Sequence, residues 1–154
     1  MIKKSITLSQ ALKIAVKEEI KAYNLYDSTS KIVKNPGTKT MLLELAREEL
    51  NHRKLLENII QEKKYGSLGE NIPEESMGIA DFSVTSELDE NATTQEAMIF
   101  AMKEEEKAYN FYTDLKNHFA GTELEKLFNK LALEEKGHKI KLEDEYEEGF
   151  LKED

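Results

Sequence analysis

Two Glu-x-x-His pairs stand in the sequence, Glu49/His52 and Glu135/His138. On a helix, residues three apart share a face, so each pair can turn a carboxylate and an imidazole into one space. Such donors suit iron, manganese or zinc. The chain has three histidines, and two of them carry a Glu three residues before. In so Glu-rich a chain a single pair would be weak evidence, and an isolated Glu would read as surface charge. What makes the two pairs informative is where each one falls.

The second half of the chain lies on the first at an offset of 86 residues. Lys17–Tyr26 falls on Lys103–Tyr112, Leu45–Glu49 on Leu131–Glu135, and His52 on His138. Glu19 and Glu105 coincide as well, each in mid-stripe on the helix before its Glu-x-x-His. The chain therefore reads as two helical hairpins of one design. Packed face to face, they would bring Glu19, Glu49, His52, Glu105, Glu135 and His138 together. Four carboxylates in a bundle core repel one another and lose their hydration. Two divalent cations would cancel that charge, with the imidazoles as neutral ligands. The pattern predicts a pair of metal ions, and carboxylates that can shift between bridging and terminal modes suit redox chemistry with dioxygen or peroxide.

Tyrosines share these faces, and a buried hydroxyl needs a partner. Tyr23 and Tyr109 lie one turn beyond Glu19 and Glu105, so they are the pair expected to hydrogen-bond a ligand carboxylate or to pass electrons. Tyr26 and Tyr112 read as core aromatics. Glu18 lies a hundred degrees around the helix from the stripe and is expected in solvent. His118 has no Glu three before it and reads as an exposed residue favouring a helix carboxyl end.

The elements that would hold this set are helices. Thr7–Gln10 and Thr93–Glu96 form capping boxes. Apolar steps of three and four then predict helices over about 8–33, 39–64, 94–119 and 123–148. Asn35-Pro36-Gly37 and Ala120-Gly121-Thr122 break them, and short breaks imply antiparallel neighbours. Gly137, inside the last helix, reads as room for a neighbouring backbone or side chain. Residues 65–92 are too long for a turn and carry glycines and Pro73. They predict a crossover travelling the length of the bundle, with an extended or short helical piece at Ile79–Val84. The expected fold is all-α: one domain over 1–154, an antiparallel four-helix bundle with a long crossover between its second and third helices.

Bulk composition agrees. The chain has 154 residues, enough for one core, with 39% apolar and 34% charged residues. Acids outnumber bases 31 to 22, for a net charge of -9. Nucleic-acid binding needs a basic footprint, so no nucleic-acid partner is expected. No apolar run reaches a membrane span, and Met1–Thr7 is a poor signal peptide, so a cytoplasmic location without membrane attachment is expected. There is no cysteine, which excludes disulfides, thiol catalysis and thiolate-held iron centres.

The plan of one Glu on the first helix, Glu-x-x-His on the second, one Glu on the third and Glu-x-x-His on the fourth resembles the ferritin-like di-iron carboxylate proteins, most closely the rubrerythrin family. Ala22-Tyr23-Asn24-Leu25-Tyr26 also looks like that family's first helix. The resemblance implies two iron ions, with Glu49 and Glu135 as bridging, catalytic carboxylates, Glu19 and Glu105 terminal, and one His on each metal. It implies reduction of hydrogen peroxide by a homodimer, and the second His sets the chain apart from plain ferritins. The chain departs from the family pattern twice. Without cysteine it has no rubredoxin domain, so electrons must come from a separate donor protein such as a rubredoxin. Ala108 stands where many members carry a further Glu. A ferroxidase or iron-handling protein using dioxygen, and a non-catalytic metal-stabilised binding module, are the alternatives.

Overall fold

The computed structural model describes residues 5–62, 71–73, 77–83 and 86–149. Among them run β1 (Ser5–Thr7), α1 (Leu8–Ile32), α2 (Pro36–Glu62), β2 (Asn71–Pro73), α3 (Met77–Ser83), α4 (Thr94–His118) and α5 (Glu123–Gly149). Both capping boxes form: Thr7 and Thr93 each accept from the amide three residues on, and Gln10 and Glu96 reach back. The second helix starts earlier than the sequence suggests. Pro36 does not lie in the break but opens α2, a position where its missing N–H costs nothing. Asn35 Oδ1 caps it, accepting from the amides of Gly37 at 2.8 Å and Thr38 at 3.2 Å. The expected end of this helix at 63–64 lies outside the described residues.

α1 packs chiefly on α2, and α4 on α5. Cross-bundle contacts set the directions of the two hairpins. Tyr26 meets Glu105 and Tyr112 meets Glu19, so α1 and α4 run antiparallel. His52 meets Glu134 and His138 meets Glu48, so α2 and α5 do too. With α2 and α4 thereby parallel, their connection must travel the bundle's length. Part of it is ordered in ways the sequence only hints at. β2 pairs antiparallel with β1, Ile72 opposite Ile6, ahead of α1. Of the stretch suspected at Ile79–Val84, residues 79–83 are helical, in a helix that begins at Met77, and Val84 lies outside the described residues. It lies close on α4: a Cβ on Gly78 would sit 2.5 Å from the Asn110 carbonyl oxygen. Only glycine allows that approach. Gly78 N–H donates to Asp114 Oδ2 at 2.8 Å, and Phe82 stacks tilted on Phe111 at 4.4 Å. Gly137 has no such neighbour, since a Cβ there meets nothing within 4 Å among the described residues.

The apolar core comes in two pieces. One holds Leu8, Leu12, Leu56, Phe82, Phe111, Phe128 and Leu131. The other holds Tyr26, Leu42, Leu45, Met98 and Leu142. On every long helix the acidic or imidazole site residues separate residues of the first piece from those of the second. Each fully buried Leu or Phe contributes about 1.5–3 kcal/mol, so the two apolar ends hold the helices around a polar middle that does not hold itself. No described helix is long and apolar enough to cross a membrane.

Candidate metal centre

Each long helix delivers its site residues through the same 3.6-residue period that buries its apolar neighbours. Glu19 comes from α1, Glu49 and His52 from α2, Glu105 from α4, and Glu135 and His138 from α5. None is more than 4% exposed. All six meet. Glu19, Glu49, His52 and Glu135 form one group and Glu49, Glu105, Glu135 and His138 a second, with one donor atom from each residue lying within 4.8 Å of the others in its group. Glu49 and Glu135 belong to both.

The histidines place Nδ1 inward. His52 Nδ1 lies 2.7 Å from Glu135 Oε1 and 3.5 Å from Glu19 Oε1. His138 Nδ1 lies 2.9 Å from Glu49 Oε1 and 3.5 Å from Glu105 Oε1. The two rings stack at 5.8 Å, with planes 12° apart. Their outer nitrogens face carboxylates from the opposite hairpin. His52 Nε2 hydrogen-bonds Glu134 Oε2 at 2.7 Å. His138 Nε2 lies 2.6 Å from Glu48 Oε2, without hydrogen-bond alignment. An Nε2–H held by a carboxylate leaves Nδ1 free as a lone-pair donor, the usual way an imidazole ligand is oriented.

The protein alone does not satisfy this cluster. Glu19 Oε2, Glu49 Oε1, Glu105 Oε2, Glu135 Oε1 and both histidine Nδ1 atoms are buried without a hydrogen-bond partner. Buried polar atoms left unpaired are costly, and here they face a common space. Burial, then repulsion from Glu19 and Glu105, pushes the Glu49 carboxyl far above its ordinary range. Burial, then Glu105 and Glu49, does the same to Glu135. Burial opposes charge on His52, yet contacts with Glu135 and Glu19 hold it up at about 11. Burial likewise opposes ionisation of Glu105, but Glu135 and His138 pull it below its usual value. Without cations, protons must stand in for the missing positive charge. Four carboxylates and two neutral imidazoles match two divalent ions in charge and donor type. The residues fit a two-metal centre in which Glu49 and Glu135 are the carboxylates that both metal positions can share.

The site's hydroxyls are not those expected. Tyr26 O–H donates to Glu105 Oε1 at 2.5 Å and Tyr112 O–H to Glu19 Oε1 at 2.7 Å. Tyr23 and Tyr109 are half-buried and pack beside the apolar clusters, Tyr109 with Lys136 Nζ 5.6 Å from its ring centre. The reason lies in direction. α1 and α4 are antiparallel, so a residue seven beyond the Glu on one helix comes level with the Glu on the other. The residue four beyond reaches only along its own helix. Burial raises Tyr26 and Tyr112 far above the usual phenol value, with nearby carboxylates adding to it. Both therefore keep their protons as fixed donors. Sequence reasoning also passed over Glu48 and Glu134. The signal was available: they are repeat equivalents, each directly before a site Glu.

One side of the cluster opens into a cavity of about 270 Å³ between α1 and α4, floored by Glu19, Glu49, Glu105 and Glu135. Glu18, expected in solvent, is half-buried at its rim, and burial raises its carboxyl.

Comparison with curated protein sequences finds no match. A crystal structure of a Thermotoga maritima protein, provisionally assigned as a ferritin-like diiron-carboxylate protein, superposes with a TM-score of 0.75. The match covers 94% of this chain and 97% of that one at 19% identity. At that identity the likeness speaks to the fold, which is the ferritin-like helical bundle. A sequence profile of the rubrerythrin family matches residues 10–146, and the chain belongs to that family.

Proposed function

We propose that the chain is a di-iron oxidoreductase that reduces hydrogen peroxide with electrons from a separate donor protein. The observation that carries this reading is the pair of overlapping donor groups joined by Glu49 and Glu135. With iron bound, the centre supplies one electron from each ion, and hydrogen peroxide with two protons becomes two waters.

The chain's own residues do the rest. Glu19, Glu49, His52 and Glu135 would hold one iron, and Glu49, Glu105, Glu135 and His138 the other. Tyr26 and Tyr112 fix the terminal carboxylates from across the bundle, so that Glu105 and Glu19 each keep one oxygen free for metal. Glu134 and Glu48 orient the imidazoles. The α1–α4 cavity gives a small neutral oxidant a path to the carboxylate face. With no cysteine in the chain, the reductant is a second protein, such as a rubredoxin. Family membership supports peroxide over dioxygen as the oxidant and a homodimer as the assembly, and a cytoplasmic location is part of the same proposal.

The test is anaerobic loading with ferrous ion, followed by matched additions of peroxide and of dioxygen. The expected result is two irons per chain, oxidised faster by peroxide, with one peroxide consumed per pair. Faster oxidation by dioxygen would favour an iron-handling role. Metal uptake with no oxidation by either would leave a structural module and end the enzymatic reading.

A further inference from the structure

The cavity between α1 and α4 is larger than a peroxide substrate requires. A water molecule takes roughly 30 Å³ of liquid and peroxide has two heavy atoms, whereas a dry apolar cavity of roughly 150 Å³ takes benzene. This one measures about 270 Å³ including the space at its floor that two metal ions would take, and its wall is mainly carbon. Leu25, Phe82, Leu88 and Phe100 line it, together with Ala22 and Ala108. The two alanines are repeat equivalents, each one turn beyond its helix's Glu and between the levels of Glu19 and Glu105. A methyl at both positions leaves the space that any longer side chain would fill.

The rim narrows the chemistry of an occupant. Lys21 Nζ donates to the Ser86 carbonyl at 2.9 Å, and Lys107 Nζ donates to the Ser86 hydroxyl at 2.8 Å. The same lysines lie 3.6 Å from Glu18 and 3.7 Å from Glu104. Both cations are thus committed to holding the 86–88 segment over the opening and to neighbouring acids. Neither is left to fix an anionic ligand, and the floor acids, balanced by protons in the metal-free chain, do not attract one. Once metal is bound, the floor no longer attracts a cation either.

We propose that this cavity is a binding site for a small neutral aromatic molecule of about six to ten non-hydrogen atoms. The ring packs among Leu25, Phe82 and Phe100, against the face of the carboxylate centre. This goes beyond the peroxide reading and does not depend on it, because the walls are there with or without an electron-transfer reaction.

The probe is 4-fluorotoluene, followed by fluorine NMR on the full chain, both metal-free and loaded with redox-silent zinc. Saturable binding is expected in both forms, with no binding of the anion 4-fluorobenzoate to the metal-free form. Ala108→Leu and Ala22→Phe each fill the space. Each is expected to weaken binding by at least about tenfold while the zinc content stays unchanged. Crystals of the unaltered chain with 4-bromotoluene give a reading that needs no variant, and the bromine signal is expected between Leu25 and Phe100. Absence of saturable binding, equal binding of 4-fluorobenzoate by the metal-free form, undiminished binding by a folded variant, or bromine located elsewhere would each overturn the proposal. Loss of peroxide turnover would touch none of these readouts, so the two readings fail separately.

Discussion

The α1–α2 and α4–α5 hairpins carry the same donors at the same repeat positions, yet they are covered differently. Glu19 and Glu105, the two Glu-x-x-His pairs, the hydroxyls of Tyr26 and Tyr112, and the outer acids Glu48 and Glu134 all exchange across the bundle in matched pairs. α3 breaks the match. It lies against α4 through Gly78 and Phe82, with Phe111 beneath it. The α1 position equivalent to Phe111 is Leu25, which instead borders the cavity. The repeated parts of the chain thus build the centre. The described part of the unrepeated crossover lines the cavity beside it.

The largest expected break in this symmetry comes from the shared acids. Glu49→Ala or Glu135→Ala removes a donor from both groups, so metal content is expected to fall from two per chain to below about one. Glu19→Ala or Glu105→Ala removes a donor from one group only and is expected to leave about one metal. Elemental analysis after dialysis separates the two patterns. Equal losses from all four variants would contradict the sharing.

Acidity should distinguish the metal-free chain from the loaded one. Folding raises Glu49 and Glu135 well above 4.5, His52 from 6.5 to about 11, and His138 in the same direction. Between the unfolded and folded values the native state holds protons that the unfolded chain has released, so stability falls as pH rises. Glu105 acts oppositely: its lowered value stabilises above 4.5 and loses that effect as pH falls through the folded value. The metal-free chain is therefore expected to melt highest in mild acid and progressively lower toward alkaline pH. Metal must displace those protons, so apparent affinity is expected to rise with pH. Melting curves at several pH values, with and without zinc, check both signs.

A smaller effect is expected at the outer acids. Glu134→Gln and Glu48→Gln each loosen one imidazole, and each is expected to weaken metal binding by about 10- to 100-fold. Competition with a chelator reads this. Similar losses support equivalence of the hairpins. A loss confined to Glu134 would mean that only its aligned hydrogen bond matters.

The smallest pair contrasts two glycines. Gly78→Ala forces a methyl into the Asn110 carbonyl and is expected to cost about 1–3 kcal/mol. Gly137→Ala meets open space in a helix interior and is expected to stabilise by about 0.5–1 kcal/mol. Thermal melts of the zinc-loaded chain should move in opposite directions.

The four long helices and the convergence of all six donors were legible in the sequence. Periodicity names the buried face, and the offset of 86 ties two such faces together. What the sequence hid depends on contacts between distant elements. β1 and β2 are three residues each and have no signal apart from their pairing. Pro36 looks like a stop until Asn35 is seen capping the helix that Pro36 opens. Choosing Tyr26 over Tyr23 requires knowing that α1 crosses α4 antiparallel, because only then does a step of seven reach the opposite Glu. Gly137 shows the converse error: a glycine in a helix reads as a close approach, and no described residue comes within 4 Å of a Cβ there.

Anomalous diffraction from crystals grown with manganese tests the centre most directly. Two strong peaks are expected inside the bundle, one beside each histidine Nδ1, with Glu49 and Glu135 reaching both. One peak alone, or peaks confined to the acidic exterior, would contradict it.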